Sequence, residues 1–118
     1  MKLIAGSQRK RYFLNKMIIV RSAHCVPIRV TKERLEHIGR RHPEIQRHEE
    51  LIINTIGEPD FLQQGDYGEL LAIKKMPSDM PTTYIVVVYK ETDPEDGFLI
   101  TSYFTRQPAK WRNVLWKR

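Results

Sequence analysis

Residues 83–91 read TYIVVVYKE, the run richest in β-branched residues anywhere in the chain. β-Branched and aromatic side chains favour the extended backbone of a sheet. The run is bounded by MPSDMPTT at residues 76–83 and by TDPEDG at residues 92–97, and both segments are rich in turn-forming residues. We therefore predict that residues 83–91 form the central strand of a β-sheet.

Further segments around this strand alternate in the manner of strands. They are PDFLQQ at residues 59–64, GELLAIKKM at residues 68–76 and GFLITSYFT at residues 97–105. Successive side chains of a strand point to opposite faces, so this alternation indicates a sheet covered on one face. The spacing predicts an antiparallel meander of three or four strands. Residues 26–30, VPIRV, add a short edge strand or an extended lead-in.

The segment that precedes the sheet has the period of helices. TKERLEHIGRRH at residues 31–42 begins with Thr31, a favoured N-cap, and ends before Pro43. Because proline is also favoured in the first turn of a helix, PEIQRHEELIINTIG at residues 43–57 is a second helix that stops at Gly57. The predicted fold class is α+β, with two N-terminal helices packed on a four-stranded antiparallel β-sheet.

The length of the chain allows one domain. A chain of 118 residues and 14.0 kDa can bury one hydrophobic core and is too short for two ordinary domains. We expect residues 17–118 to form that domain and residues 1–16 to be a weakly structured basic extension. Met17 begins the first apolar run long enough for a strand. An alternative start of translation is therefore Met17.

Hydropathy and cysteine content favour a water-soluble protein of the cytoplasm. The mean hydropathy is −0.49, and the apolar runs are far shorter than the roughly 20 residues needed to span a bilayer. Early basic residues interrupt the start before it reaches the length of an export signal. The single cysteine, Cys25, has no partner for an internal disulfide, and we expect it to be buried, inert and reduced.

Positive charge is concentrated at the two ends of the sequence. The net charge is +6, residues 1–30 hold seven basic and no acidic residues, and residues 106–118 hold five basic and no acidic residues. If the fold brings both ends to one side, they form a basic patch suited to the phosphates of RNA. The alternative is that charged termini only improve solubility.

The last predicted strand carries a row of hydroxyl groups. Thr101, Tyr103 and Thr105 alternate on one face and lead to Arg106, so they can hold phosphate oxygens by hydrogen bonds while the arginine supplies charge. The alternative is an ordinary solvated strand face, where threonine and tyrosine are common. The same alternation places Leu99 on the strand face that carries the hydroxyl groups. We expect the helices to cover the opposite face, which is formed by Phe98, Ile100, Ser102 and Phe104.

The first predicted helix carries a second group of candidates. Arg34, His37 and Arg41 fall along one helical face, and His42 lies where Pro43 breaks the helix. A histidine beside arginines can move a proton during RNA cleavage while the arginines stabilise the phosphorane. The alternative is a solvated basic face with His42 as a cap. No zinc spacing or glycine-rich phosphate loop occurs, so we expect neither a metal nor a cofactor.

The stretch from residue 26 to residue 105 resembles the barnase, EndoU, colicin and RelE-like (BECR-type) family of small nucleases found in phages and bacteria. The resemblance implies two helices on a four-stranded antiparallel sheet, RNA cleavage by transesterification without a metal, and the toxin role in a toxin–antitoxin pair. By position, His37 and His42 match the family's helix histidines, and Thr101 and Tyr103 match its polar strand positions. The matching segments are TKERLEHIGRRHPEI at 31–45, INTIGEPDFL at 53–62, YIVVVYKE at 84–91 and GFLITSYFT at 97–105.

Three hypotheses about function follow. The chain is a metal-independent endoribonuclease, a non-catalytic RNA-binding module whose Trp111 stacks on bases, or an interaction domain whose basic ends meet an acidic antitoxin protein. The expected partners are RNA and such an antitoxin, and no membrane is involved. The candidate catalytic residues are His37, His42, Thr101 and Tyr103, and the candidate phosphate-binding residues are Arg34, Arg41, Thr105 and Arg106.

Overall fold

The computed structural model describes residues 11–14, 17–76 and 83–118. Within these ranges no helix is both long and apolar enough to cross a bilayer. The elements before the central strand are β1 (Arg11–Leu14), β2 (Met17–Arg21), β3 (Pro27–Val30), α1 (Lys32–Arg41), a short 3-10 helix (Pro43–Ile45), α2 (Glu49–Gly57), β4 (Phe61–Gln64) and β5 (Leu70–Lys75). They are followed by β6 (Tyr84–Asp93), β7 (Asp96–Thr105) and β8 (Val114–Lys117).

The strands form one eight-stranded sheet in the order β1-β2-β3-β7-β6-β5-β4-β8. The pairing of β3 with β7 is parallel, and every other pairing is antiparallel. The predicted fold class, two N-terminal helices on a four-stranded antiparallel sheet, is therefore wrong. The sheet is twice as wide, it is mixed, and three of its strands precede the helices.

The error arose from short strands whose partners are distant in sequence. β1, β3 and β8 have four residues each, which is too few to show a clear period. β3, which we expected at an edge, lies inside the sheet, with Ile28 opposite Gly97 of β7. A Cβ on Gly97 would lie 2.4 Å from the carbonyl oxygen of Lys90 and 2.6 Å from Cδ1 of Ile28. Glycine at this position therefore allows the two halves of the sheet to join closely.

The predictions for the longer elements agree better with the structure. The run at residues 83–91 lies in β6, which has β5 on one side and β7 on the other. Thr31 caps α1, and its hydroxyl accepts a hydrogen bond from the Arg34 N–H at 3.1 Å. The second predicted helix, residues 43–57, is divided into the 3-10 helix and α2.

Only part of the N-terminal extension can be compared with the prediction. Residues 1–10, 15 and 16 lie outside the described residues, as do residues 77–82 of the predicted turn at 76–83. Residues 11–14 are strand β1, paired antiparallel with β2. The Arg11 guanidinium donates hydrogen bonds to Glu50 and Asn54 of α2, so β1 is tied to the helical layer.

The two faces of the sheet are covered differently. We call the face under α1 and α2 the helix face and the other the open face. The helix face holds the main core, which includes Val20, Ile28, Ile38, Ile52, Ile56, Leu62, Ala72, Ile85, Val87, Tyr89 and Leu99. The open face holds a smaller cluster of buried residues, Leu71, Ile73, Val86 and Val88.

A β-bulge in β7 exchanges the faces of two neighbouring residues. Val88 lies opposite Thr101 but Tyr89 lies opposite Leu99, so Ile100 is an extra residue in β7. Leu99 consequently packs in the main core, and Ile100 packs against the cluster of the open face. Our assignment of these two residues to the opposite faces was wrong, because a strict period of two cannot reveal a bulge.

Residues 106–113 cross the open face, and we call them the crossing segment. They lead from the end of β7 to β8, which lies beside β4 on the far side of β6 and β5. Gln63 of β4 donates a hydrogen bond to the carbonyl of Ala109 at 2.7 Å, and the N–H of Gln64 donates to the carbonyl of Asn113 at 2.9 Å. The open face is thus covered by irregular backbone rather than by a helix.

Candidate active site at Tyr103

Helix α1 separates the sequence candidates onto two faces. Ile38 and Gly39 are buried against the sheet, and His42 continues their face one turn later. Arg34, His37 and Arg41 are exposed, and Arg34 lines a hollow beside Phe98 and Leu99 in the earlier part of β7. His42 is therefore the histidine of α1 that the fold turns toward β7.

His42 owes its position to the proline that follows it. Pro43 disfavours helical backbone in the preceding residue, and His42 has φ −130° and ψ 79° at the end of α1. Its ring centroid lies 5.9 Å from that of Tyr103, with 36° between the two planes. Its Nδ1 lies 3.6 Å from a carboxylate oxygen of Glu44. The imidazole is thus held between a carboxylate and a phenol.

His42 can approach Tyr103 because β7 is not fully paired on that side. β3 pairs with β7 at Gly97 and Phe98, and the described residues place no strand beside the later part of β7 on that side. The 3-10 helix contacts β7 there, and the ring of His48 packs edge-on against Phe104 at 5.4 Å. The residues that follow α1 therefore reach the later part of β7 along its unpaired edge.

On its other side, Tyr103 lines a cavity of about 230 Å³ under the crossing segment. Burial raises the pKa of the Tyr103 phenol, and the positive charge of Arg112 acts in the opposite direction. The phenol is therefore protonated at neutral pH. Other residues that line the cavity are Gln63, Leu71, Ile73, Val86, Thr105 and Arg112.

Arg112 is the cation of this cavity and is firmly held. Its guanidinium donates to a carboxylate oxygen of Asp66 at 3.0 Å and to the carbonyl of Gln64 at 3.2 Å. It also stacks on the ring of Trp111, with its Cζ 4.2 Å from the ring centroid. Only 16% of the Arg112 side chain is exposed. The guanidinium is therefore fixed in direction, and the paired Asp66 carboxylate balances part of its charge.

In the side-chain amide of Gln63 the nitrogen forms a hydrogen bond and the oxygen does not. The residue is 4% exposed, and its Nε2 donates to the carbonyl of Ala109 at 2.7 Å. Its Oε1 is buried and has no hydrogen-bond partner among the described residues. Buried acceptors are normally satisfied, so this oxygen is unusual. We refer to His42, Gln63, Tyr103, Thr105 and Arg112 as the Tyr103 site.

The other sequence candidates lie at varying distances from this site. Thr105 lines the cavity, but its hydroxyl already hydrogen-bonds the backbone of Gln107 at 3.3 Å. Arg106 lines a neighbouring hollow of about 360 Å³ together with Lys110. Thr101 lies opposite Val88, two residues before Tyr103, and does not line the cavity. Trp111 is 69% exposed, with one face of its ring against Arg112.

The remaining candidates are not part of the Tyr103 site. Arg34 and His37 line a separate hollow with Thr31, Glu33 and Arg40. Arg41 is exposed on the same outward side of α1. The structure therefore brings Tyr103, Thr105 and Trp111 close to Arg112, and it places His42 against Tyr103, although His42 does not line the same cavity. Arg34, His37 and Arg41 lie elsewhere.

The described parts of the two basic ends do not form one patch. β1 and β8 are the opposite edge strands of the sheet, so the described parts of the two ends lie far apart. Two arginines of the N-terminal block are also engaged within the chain, Arg11 with Glu50 and Arg29 with Asp96 at 2.8 Å. Among the described residues the two ends therefore form no shared phosphate surface, and the basic residue of these blocks that lines the Tyr103 cavity is Arg112 of the C-terminal block.

Sequence reasoning missed Gln63 and Arg112. Arg112 was visible only as one of several basic residues near the C-terminus, and nothing in the local pattern marked its contact with β4. Gln63 lies two residues after Phe61 and on the same face of β4. Its burial depends on Ala109, which is 46 positions later. The crossing segment carries Arg112 to the site, and its Ala109 accepts the hydrogen bond of the buried Gln63.

A second polar cluster lies between β2 and β6. Glu91 accepts a hydrogen bond from the Ser22 hydroxyl at 2.6 Å and contacts Nδ1 of His24 at 2.9 Å. Because the carboxylate lies between the hydroxyl and the imidazole, the order does not activate the serine as a nucleophile. Cys25 follows with φ 66° and is exposed, so our expectation of a buried cysteine was wrong.

The described ranges contain no group of three or more His, Cys, Asp or Glu side chains arranged to hold a metal ion. The arrangement at Tyr103 offers an imidazole, a protonated phenol and a fixed guanidinium. Together these groups can accept a proton, donate a proton and stabilise a negative charge. No protein-family model, curated protein or solved structure matches the chain.

Proposed function

We propose that this chain is a metal-independent endoribonuclease that cleaves RNA by transesterification at the Tyr103 site. The observation that carries the proposal is the approach of the His42 ring to the Tyr103 ring, 5.9 Å between centroids. Arg112 supplies a fixed positive charge on the cavity side of Tyr103. The resemblance of residues 26–105 to the BECR-type nucleases, inferred from the sequence, favours the same reaction class.

The proposed reaction needs one base, one acid and one cation. The His42 imidazole accepts the proton of a ribose 2′-hydroxyl, and the 2′-oxygen attacks the adjacent phosphorus. The Tyr103 phenol, kept protonated by its burial, gives a proton to the departing 5′-oxygen. Arg112 stabilises the charge on the non-bridging oxygens. The products are a 2′,3′-cyclic phosphate and a 5′-hydroxyl.

The proposal narrows the candidates drawn from the sequence. His42 takes the proton-transfer role that was shared with His37, and Arg112 replaces Arg34 and Arg41 at the phosphate. Arg106 and Lys110 in the neighbouring hollow would bind the continuing backbone. Thr101 has no chemical step in this scheme.

The test is cleavage of a labelled RNA in excess chelator. We expect His42→Ala to lower the rate about 100- to 10,000-fold, the usual contribution of a general base or acid, and Tyr103→Phe to lower it comparably. His37→Ala is the matched control, because His37 lies on the outward side of the same helix. Mass spectrometry of the fragments would identify the cyclic phosphate.

Two results would refute the proposal. One is the absence of cleavage by the folded wild-type protein on any RNA of a broad pool. The other is an equal loss in His37→Ala and His42→Ala, which would place the proton transfer away from Tyr103.

The proposed biological role is that of the toxin of a toxin–antitoxin pair, acting on RNA in the cytoplasm. A net charge of +6 suits an acidic antitoxin protein as the inhibitory partner. Expression of the wild type without such a partner is expected to arrest growth, and expression of His42→Ala is not.

A second function, RNA binding without cleavage, is favoured by Trp111. Its exposed ring is backed by Arg112, and Arg106 and Lys110 line the hollow next to it. An exposed aromatic ring beside cations is how many proteins hold single-stranded RNA. This function predicts binding that weakens steeply with salt and is reduced by Trp111→Ala, with no cleavage at any salt concentration.

A further inference from the structure

Another hollow lies in the helical layer, and none of its lining residues belongs to the Tyr103 site. Its volume is about 320 Å³. One wall is α1, and the other is formed by the 3-10 helix and the start of α2. We call this hollow the helix groove, and its lining residues are Leu35, Glu36, Gly39, Arg40, Ile45, Gln46, Arg47, Glu49 and Ile52.

The floor of the helix groove is apolar. Ile45 and Ile52 are buried in the main core, and Leu35 packs against that core but is only partly buried. Apolar surface that water can reach is stabilised when a partner covers it. The groove therefore has the apolar centre that is typical of protein–protein interfaces.

Contacts within the chain fix the shape of the groove. The side-chain amide of Gln46 donates to the carbonyl of Gly39 at 3.0 Å, which ties the two walls together. A Cβ on Gly39 would lie 2.9 Å from Cγ of Gln46, so a glycine in α1 leaves room for this contact. Between the 3-10 helix and α2, Arg47 has φ 70°, in the left-handed region that few residues with side chains adopt. A groove that is already shaped loses less entropy when a partner binds.

The rim of the groove carries charges that the chain itself does not pair. Glu36, Arg40, Arg47 and Glu49 are all exposed, and none of them forms an ion pair with another described residue. Glu36 and Arg40 are one helical turn apart, a spacing at which glutamate and arginine often pair, and they do not pair here. All four charges are therefore available to a partner.

The signs of these charges indicate the kind of partner. The rim holds two acidic and two basic side chains, so it is locally neutral although the whole chain carries +6. A nucleic acid or a strongly acidic protein would gain little at such a rim, because each attractive charge is accompanied by a repulsive one. A surface that presents both signs equally is instead complementary to another copy of itself.

We propose that the helix groove docks a second copy of this chain and forms a dimer with two-fold symmetry. Each wall carries one charge of either sign, Glu36 and Arg40 on α1 and Arg47 and Glu49 around the start of α2. A two-fold axis that crosses the groove places each wall against the same wall of the second copy, running in the opposite direction. Glu36 then meets Arg40 of the second copy, and Arg47 meets Glu49 of the second copy.

The first experiment measures the mass of the full-length wild-type chain by sedimentation equilibrium, at protein concentrations from about 5 to about 500 µM. Because one groove gives a small interface, we expect a weak dimer whose population rises with concentration over this range. A two-fold interface is used up once two copies have joined, so assembly should stop at the dimer. A monomer at every concentration, or assembly beyond two copies, would overturn the proposal.

The second experiment reverses single charges on the α1 wall. Glu36→Arg and Arg40→Glu each bring like charges together at both symmetric contacts, and we expect each to raise the dissociation constant of the dimer about 10-fold or more. Arg41→Glu is the matched control, because it makes the same change of charge one residue later in α1 and outside the groove. Equal effects of Arg40→Glu and Arg41→Glu would overturn the assignment of the interface.

The third experiment mixes the two single variants. Glu36→Arg leaves two basic side chains at these positions, and Arg40→Glu leaves two acidic ones. A mixed dimer therefore regains opposite charges at both contacts, and we expect it to form about as tightly as the wild-type dimer, at concentrations where each variant alone is monomeric. A mixture that stays monomeric would overturn the antiparallel arrangement. The result does not depend on RNA cleavage, because every substituted residue lies outside the Tyr103 site.

Discussion

The helix face and the open face belong to the same sheet but are covered by different kinds of structure. On the helix face, α1 and α2 bury a continuous apolar core, which includes Ile38, Ile56 and Ile85. On the open face, the irregular crossing segment covers a much smaller apolar cluster. It leaves a cavity in which polar side chains meet. The comparison teaches that the well-packed face supplies the stability and the thinly covered face supplies the candidate chemistry.

The largest expected difference comes from the same substitution on each face. Ile85 and Ile73 are both fully buried, Ile85 on the helix face and Ile73 on the open face. We expect Ile85→Ala to lower the free energy of unfolding by about 4 kcal/mol and Ile73→Ala by about 2 kcal/mol. Ile73 already borders a cavity and lies under irregular backbone, so fewer contacts are lost. Urea denaturation measures both values, and equal losses would contradict the difference between the faces.

The next largest change in stability is expected at Tyr89. Tyr89 is fully buried on the helix face, and its hydroxyl lies near that of Ser22, which donates to Glu91, but forms no hydrogen bond of normal geometry among the described residues. Burial, with a smaller contribution from Glu91, raises its pKa well above the usual range. Because an unpartnered buried hydroxyl is costly, Tyr89→Phe is expected to increase the free energy of unfolding by about 1 kcal/mol. A loss of stability of similar size would show that the hydroxyl is satisfied.

Two tyrosines predict the response to alkaline pH. The unfolded chain loses phenol protons near pH 10, whereas burial raises the pKa of Tyr89 and Tyr103 in the folded chain. The folded state therefore holds more protons above pH 10, and the free energy of unfolding falls as pH rises. Tyr89→Phe is expected to reduce this fall more than Tyr103→Phe does. Thermal unfolding between pH 8 and pH 11 would measure it.

A smaller effect is expected at the cation of the open face. Arg112 opposes the rise in the pKa of Tyr103, so Arg112→Gln should raise that pKa further. The difference between ultraviolet titrations of this variant with and without Tyr103→Phe isolates the one phenol. An unchanged pKa would mean that the guanidinium and the phenol do not interact in solution.

The smallest effect is expected where β3 meets β7. Arg29 donates to Asp96 at 2.8 Å, and this hydrogen bond lowers the pKa of the Asp96 carboxyl. A lowered pKa stabilises the fold above about pH 4, the usual value of an unfolded aspartate, and the benefit is lost as pH falls further. Asp96→Asn should remove this part of the acid dependence. Acid unfolding curves that coincide with the wild type would argue against the ion pair.

Local pattern was sufficient for the long elements. β6, β5 and β7 show clear strand composition, and Thr31 and Pro43 mark the ends of α1. The spacing of Leu35, Ile38 and His42 also indicated which face of α1 is buried, and it would have favoured His42 over His37.

The remaining features depend on contacts between distant residues. The parallel pairing of β3 with β7 joins Ile28 to Gly97 across the whole helical region. The bulge at Ile100 appears only once Val88 and Tyr89 have partners. The crossing segment brings Arg112 to Asp66 across 46 positions. A period within one segment contains no information about any of these pairings.

The crossing segment has a consequence for the order of events on the ribosome. Synthesis proceeds from the N-terminus, and Arg112 emerges after every strand except β8 has been made. A nascent chain that ends at Thr105 would carry His42 and Tyr103 but neither the cover nor the cation of the cavity. The candidate site would therefore be complete only after the crossing segment has been made and has folded over the open face.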